Sequence, residues 1–165
     1  MILEAILVCA GTAAVASVVG AFLNREEKRG CLSLKKYMPG DLPIITLINN
    51  KVPLNFLLDT GSNISHICPS AAKLIKTRKS KSNDTTEVAG LGTVNKGVTM
   101  CKAELHDTLN HKYKVYLSIS ENLEKTAKYI HKNTGVMIHG LLGTDFLQKY
   151  NYTIDFKALE VYTKK

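Results

Sequence analysis

The chain of 165 residues contains no tryptophan, and aromatic residues make up only 7% of it. Proteins that bind single-stranded nucleic acid stack the bases on aromatic side chains, and such side chains are scarce here. Disorder throughout is also excluded, because 45% of the residues are hydrophobic and 22% are charged. We therefore expect one domain with a buried core and a short additional segment.

Cysteine pairs of the kind that hold zinc are absent as well. The four cysteines form no Cys-x-x-Cys pair, and His66-Ile67-Cys68 has no second cluster at ligand spacing. We therefore expect no metal and no cofactor. In a domain of this size the cysteines are expected to be free thiols, which suits a reducing compartment.

Acidic residues are fewer than basic ones, and the net charge is +8. The basic residues are scattered except for a run at residues 76–81, which is followed by Ser82, Asn83 and Asp84. A solvated surface loop is the ordinary explanation of such a run. We favour the loop and expect no nucleic-acid partner, while salt-dependent binding of nucleic acid through the run remains an alternative hypothesis.

One long segment, residues 5–23, has no charged side chain and is long enough to cross a bilayer as a helix. A cleaved signal peptide is the alternative, but the four residues before the segment carry no lysine or arginine. The basic residues follow it instead, beginning at Arg25. By the positive-inside rule we expect a single-pass membrane anchor with the remainder of the chain in the cytoplasm.

This pattern divides the chain into three parts. Residues 1–23 are predicted to be the transmembrane anchor. Residues 24–40 are charged and contain proline and glycine, which predicts a linker. Residues 41–165 are predicted to form the domain.

Short apolar segments separated by turn residues dominate that domain. Residues 42–48 and 52–58 flank Asn49-Asn50-Lys51, which predicts a hairpin that ends at Asp59. Further strands are expected at 85–88, 94–101, 111–119, 152–156 and 158–162, an apolar segment at 136–142, and helices at 69–77, 121–131 and 145–150. Many short strands punctuated by glycine predict an all-β barrel or sandwich.

The segment Asp59-Thr60-Gly61-Ser62 follows the apolar residues Phe56-Leu57-Leu58. By itself Asp-Thr-Gly is an ordinary turn at a strand end. A carboxylate delivered by a core strand is, however, partly removed from water, which is typical of catalytic carboxylates. Two further features accompany it, a hairpin with the tip Gly90-Leu91-Gly92 and the downstream segment Leu141-Leu142-Gly143-Thr144-Asp145-Phe146-Leu147.

In this order the three features resemble the retropepsin-like aspartic proteases, the single-domain relatives of pepsin and of the retroviral proteases. The closing Thr153-Ile154-Asp155-Phe156 and Val161-Tyr162 are similar to the cellular members of that family. The resemblance covers about residues 41–162 and implies a closed acid-protease barrel with one or two short helices. The residues 121–133 are an insertion relative to a minimal retroviral enzyme.

The resemblance also implies residue roles. Asp59 matches the catalytic carboxylate, Thr60 the threonine that bonds across a dimer, and Gly61 the glycine whose amide supports the carboxylate. The supporting positions are Ser62, matching the residue that hydrogen-bonds the outer carboxylate oxygen, and Leu141, Leu142 and Gly143, matching the element packed beneath the loop. The flap, which covers the substrate in this family, falls at Gly90, Leu91 and Gly92.

Two carboxylates about 3 Å apart that share one proton are needed for this chemistry. Asp-Thr-Gly occurs once, and neither Asp145 nor Asp155 is followed by Thr-Gly or Ser-Gly. Asp145 is expected at a helix start, and Asp155, in an alternating strand, is expected to be a surface or turn residue. We therefore expect a homodimer, in which each chain supplies Asp59, that cleaves peptide or protein substrates. The alternative is a catalytically idle module of the same fold that binds peptides or scaffolds a membrane complex.

Overall fold

Short strands dominate the computed structural model, which describes residues 28–34, 42–79, 88–90, 93–95 and 99–164. The strands of this part are β1 (Lys28–Ser33), β2 (Ile44–Asn49), β3 (Val52–Leu58), β4 (His66–Ile67), β5 (Arg78–Lys79), β6 (Val88–Gly90), β7 (Thr93–Asn95), β8 (Met100–His106), β9 (Lys112–Ile119), β10 (Gly140–Leu142), β11 (Tyr152–Asp155) and β12 (Glu160–Lys164). The helices are α1 (Pro69–Ala72), α2 (Glu121–Thr134) and α3 (Thr144–Lys149).

Six strands close into a barrel in the order β2-β3-β10-β4-β9-β8, because β2 pairs back onto β8. Side chains alternate between the two faces of a strand, so every second residue faces the interior. In β3 these are Leu54, Phe56 and Leu58, all less than 5% exposed. The predicted all-β closed barrel is confirmed.

The seam of the barrel is narrow. Between β2 and β8, both of which the structure describes in full, a single pair of residues is in register, Ile48 and His106. The buried side chain of Asn49 reinforces the seam, since its Nδ2 donates to the carbonyl of Glu104 at 2.8 Å. Its Oδ1 accepts the N–H of Lys76 at 2.9 Å, which ties the segment after α1 to the same place.

A second sheet, in the order β1-β12-β11, corrects one prediction. Residues 24–40 were expected to be a linker, but β1 pairs antiparallel with β12, and Leu32 and Leu34 are buried in the core. The linker prediction is therefore wrong for residues 28–34. The charges around these leucines suggested a solvated segment, and the strand that covers them lies at the far end of the chain.

The element boundaries follow local signals where such signals exist. Helix α2 begins after Ser120, whose Oγ accepts the N–H of Leu123 at 3.2 Å, and ends at Gly135, which has φ 73°. These are a typical N-cap and a typical left-handed C-cap. Helix α1 ends at Ala72, earlier than the predicted residue 77, and the strand predicted at 94–101 is divided between β7 and β8.

The predicted anchor at residues 5–23 lies outside the described residues. Within the part of the chain that is described, no helix combines the length and the apolar character needed to span a bilayer.

Four aromatic rings join the barrel to α3 and β11. Tyr113 packs against Phe146, Tyr150 and Tyr152, with ring centroids 4.9 to 6.0 Å apart. Tilted and edge-to-face contacts at these distances are favourable beyond the area that they bury. In a chain poor in aromatic residues, this cluster fixes the position of α3 relative to β9.

A buried carboxylate anchors the cluster. Asp107 accepts the N–H groups of Leu109 and His111 on Oδ1, and the His111 ring and the Tyr113 hydroxyl on Oδ2, all within 2.9 Å. The hydroxyl of Tyr152 donates in turn to that of Tyr113 at 3.0 Å. Burial by itself raises the pKa of Asp107, but the hydrogen bonds from His111 and Tyr113 outweigh it and hold this pKa below 3.8.

We expect Asp107→Asn to lower the free energy of unfolding at pH 7 by about 1–3 kcal/mol, because the bonds to an ionised acceptor are lost. A depressed pKa gives stability that is present above the unfolded value of 3.8 and is lost as the pH falls through the folded value. Urea unfolding between pH 7 and 2 measures both effects. The exposed variant Glu121→Gln serves as the control, and equal acid sensitivity of Asp107→Asn and the native chain would contradict the assignment.

Candidate active site

The loop at Asp59 directly follows β3, which pairs in parallel with β10. Leu57 and Leu58 of β3 lie in register with Leu141 and Leu142 of β10. The ladder continues one step further, since the N–H of Asp59 donates to the carbonyl of Leu142 at 3.0 Å. The half-buried Asp59 therefore starts its loop from a fixed backbone position.

The loop itself orients the carboxylate. The N–H of Gly61 donates to Oδ1 of Asp59 at 2.8 Å. A Cβ at position 61 would stand 3.1 Å from that same oxygen, which is tighter than ordinary contact, so glycine suits this position. One carboxylate oxygen is thus held by its own loop, while Thr60 and Gly61 are exposed.

The residues after β10 support the loop from the other side. Thr144 donates its N–H and its hydroxyl to the carbonyl of Ser62, at 2.8 and 3.2 Å. The Ser65 hydroxyl accepts the N–H of Gly143 at 3.1 Å and donates to Oδ1 of Asp145 at 2.7 Å. The start of α3 and the Asp59 loop are therefore one hydrogen-bonded unit.

Gly143 is required by close approach of two backbones. A Cβ there would lie 2.6 Å from the carbonyl oxygen of Ile64 and 2.7 Å from that of Ser62. Both atoms belong to the main chain and cannot turn aside. Any larger residue would push the Asp59 loop away from β10.

Ser62 differs from its predicted role. Its hydroxyl donates to the carbonyl of Ile64 at 2.8 Å. Because a hydroxyl carries one proton, it does not at the same time donate to the outer oxygen of Asp59. In this structure the side chain shapes the turn after the carboxylate.

The segment before β10 is hydrogen-bonded to β3. His139 accepts the N–H of Asn55 on Nδ1 at 3.0 Å and donates its own backbone N–H to the carbonyl of Asn55 at 2.9 Å. Burial lowers the pKa of His139, which keeps the ring neutral and able to accept. The side chain of Asn55 adds a bond to the carbonyl of Met137 at 2.9 Å.

The predicted flap is described only in part. Gly90 is the last residue of β6 and lies in register with Thr93 of β7, so the two strands form a hairpin. Leu91 and Gly92, at its tip, lie outside the described residues.

Sequence reasoning missed several residues around Asp59. The roles of Ser65 and Thr144 depend on contacts across about eighty residues of sequence, and no local pattern signals them. A groove beside the loop was missed too, and it is lined by Thr60, Thr144, Leu147, Tyr152, Ile154 and Phe156. Phe156 is 57% exposed at this groove.

A family model described as aspartyl protease matches residues 45–146, which include the Asp59 loop and Gly143. This chain belongs to the aspartyl protease family. The sequence resemblance to aspartic proteases is thereby confirmed at the level of the family.

Solved structures similar to this aspartyl protease include two that carry related descriptions. The EIAV protease complexed with the inhibitor HBY-793 is 19% identical, with a TM-score of 0.49 over 70% of this chain and 94% of that one. A retropepsin-like aspartic protease from Rickettsia conorii is 16% identical, with a TM-score of 0.42 over 73% of this chain and 80% of that one. The comparison with curated proteins gives no match.

Proposed function

We propose that the chain is a retropepsin-like aspartic endopeptidase that is active as a homodimer, with Asp59 of each chain in one site. The main support is the position of Asp59. It directly follows β3, which pairs in parallel with β10, and its carboxylate accepts the N–H of Gly61 at 2.8 Å. The family match covers this loop. Asp-Thr-Gly occurs once in the chain, so a second chain supplies the second copy.

Water is the nucleophile in the proposed reaction. Two carboxylates about 3 Å apart cannot both ionise, so the pair holds one proton. The ionised member removes a proton from a water molecule, whose oxygen attacks the carbonyl carbon of the peptide bond. The protonated member donates to the carbonyl oxygen, and the resulting tetrahedral intermediate loses the amine once its nitrogen is protonated.

Two other carboxylates of the chain are engaged elsewhere, which supports the need for a second chain. Oδ1 of Asp145 accepts the Ser65 hydroxyl beneath the loop. Oδ1 of Asp155 accepts the N–H groups of Lys157 and Ala158 at 3.0 and 2.8 Å, closing the turn between β11 and β12. Both carboxylates have structural partners within the chain, and neither follows the sequence pattern of Asp59.

The groove beside Thr60 is the surface that we assign to the dimer. If two Asp59 carboxylates meet about 3 Å apart, surfaces next to them must also meet across the two-fold axis. Thr60 is the neighbour of Asp59 and lines the groove together with Phe156. Burying a phenylalanine side chain contributes about 1.5–3 kcal/mol, and the symmetry doubles the effect.

The anchor prediction is retained as a proposal. Residues 5–23 have the length and the apolar character of a membrane span, and anchoring two chains in one bilayer raises their local concentration. If the full chain expressed in cells is released from membranes by alkaline carbonate, the proposal is wrong.

Asp59→Asn is expected to lower cleavage of a fluorogenic peptide library at least about a hundredfold, because one general acid–base group is lost from each half-site. Glu121→Gln, an exposed carboxylate changed in the same way, should cleave like the native chain. Mixing native chain with the Asp59→Asn variant sharpens the test. Activity should then fall with the square of the native fraction, since only native pairs are active.

Unchanged cleavage by the Asp59→Asn variant would refute the protease proposal. A linear dependence on the native fraction would refute the shared site. Peptide binding by the native chain without any turnover would instead support the catalytically idle module.

Phe156→Asp is expected to raise the dimer dissociation constant about tenfold or more, because a charge replaces an apolar contact in the interface. Sedimentation velocity measures this constant. Tyr129→Asp is the matched control, since Tyr129 is 70% exposed on α2, away from the groove. Equal dissociation constants for the two variants would show that the groove lies outside the interface.

A further inference from the structure

The outer face of the barrel carries a row of side chains that leads to the catalytic loop. Leu57 of β3 lies in register with Leu141 of β10, and Leu141 lies in register with His66 of β4. Residues in register on neighbouring strands point to the same face of a sheet. The three side chains are therefore adjacent on one face.

Asp59 belongs to the same face. It follows Leu57 by two residues, and its N–H continues the ladder to Leu142, so the alternation of the strand extends to it. Burial lowers the pKa of His66, and the charges of Asp145 and Asp59 offset this in part. A peptide that binds at Asp59, as proposed above, would therefore lie against the face with Leu57, Leu141 and His66.

The imidazole of His66 has unused hydrogen-bonding capacity. Its Nδ1 is buried and has no hydrogen-bond partner in the described part of the chain. A buried N–H without a hydrogen-bond partner is rarer than a buried acceptor without one. This favours the tautomer in which Nδ1 is unprotonated and Nε2 carries the proton. Protonation of the ring would leave a buried N–H unpaired, and burial accordingly lowers the pKa of His66.

We propose that His66 is a specificity-determining residue whose ring N–H selects substrates with a neutral side-chain amide, Asn or Gln, close to the scissile bond. The neighbours Leu57 and Leu141 offer only apolar contact, so His66 is the hydrogen-bond donor of this row. An amide oxygen accepts from the ring without adding charge. A substrate carboxylate would also accept, but it would be repelled by the charge of Asp59 on the same face.

The proposal rests on the protease function assigned above, and the test separates the two. Full-length protein is given fluorogenic peptides that differ only in carrying Gln, Glu or Leu at one position within four residues of the scissile bond. The native chain should give the highest kcat/KM with Gln. His66→Val should lower the ratio of kcat/KM for Gln over Leu about two- to tenfold, the effect of one neutral hydrogen bond.

Two further variants exclude a merely structural effect. His66→Gln keeps a side-chain N–H donor of similar reach and should retain most of the preference for Gln over Leu. His131→Val, an exposed histidine in the last turn of α2, should leave the ratio unchanged. Unfolding midpoints of all variants show whether each remains folded.

An unchanged ratio in His66→Val would overturn the specificity proposal while the protease function stands. If no peptide is cleaved, the protease function fails, and fluorescence anisotropy of the same labelled peptides decides the specificity. Tighter binding of the Gln peptide, lost in His66→Val and kept in His66→Gln, supports the role of His66. Equal binding of the Gln and Leu peptides rejects it.

Discussion

The parallel pairing of β3 with β10 is the contact on which the Asp59 loop depends. It places the N–H of Asp59 on the carbonyl of Leu142 at 3.0 Å and brings Gly143 against the main chain of Ser62 and Ile64. These approaches leave no room for a side chain at position 143. The geometry of the Asp59 loop is therefore a consequence of backbone packing, and its hydrogen bonds then fix the details.

This support extends outward from the loop to α3, and from α3 to the barrel. Through Ser65, Thr144 and Asp145, the loop is joined to the start of α3. Helix α3 in turn packs on the barrel through Phe146 and the tyrosines, and the buried Asp107 holds that cluster in place. The buried carboxylate of Asp107 thereby helps to position the helix that underlies the Asp59 loop, and the groove beside Thr60 lies along the same helix.

Local sequence patterns predicted many of the barrel strands, but few of the contacts that hold the Asp59 loop in place. The strand Val52–Leu58 has the predicted bounds because its apolar residues end at a polar turn on one side and at Asp59 on the other. Helix α2 was predicted because Leu123, Ala127 and Ile130 recur at helical spacing, and in the structure it runs three residues beyond the predicted end at 131, to Thr134. In contrast, β1 was missed, since Leu32 and Leu34 sit among charges and their cover is the C-terminal strand. The bond of Ser62 was also assigned differently, because a hydroxyl chooses among acceptors that only the folded loop provides.

The sequence by itself determined the family, the single Asp-Thr-Gly segment and the apolar strand that delivers it, because these are properties of neighbouring residues. The tertiary structure alone decided what surrounds Asp59. It joined Leu57, Leu141 and His66 into one face, left Nδ1 of His66 buried without a partner among the described residues, and opened the groove at Thr60 and Phe156. The reason is physical: register and packing between distant strands set which side chains meet, and neither is encoded in any local pattern.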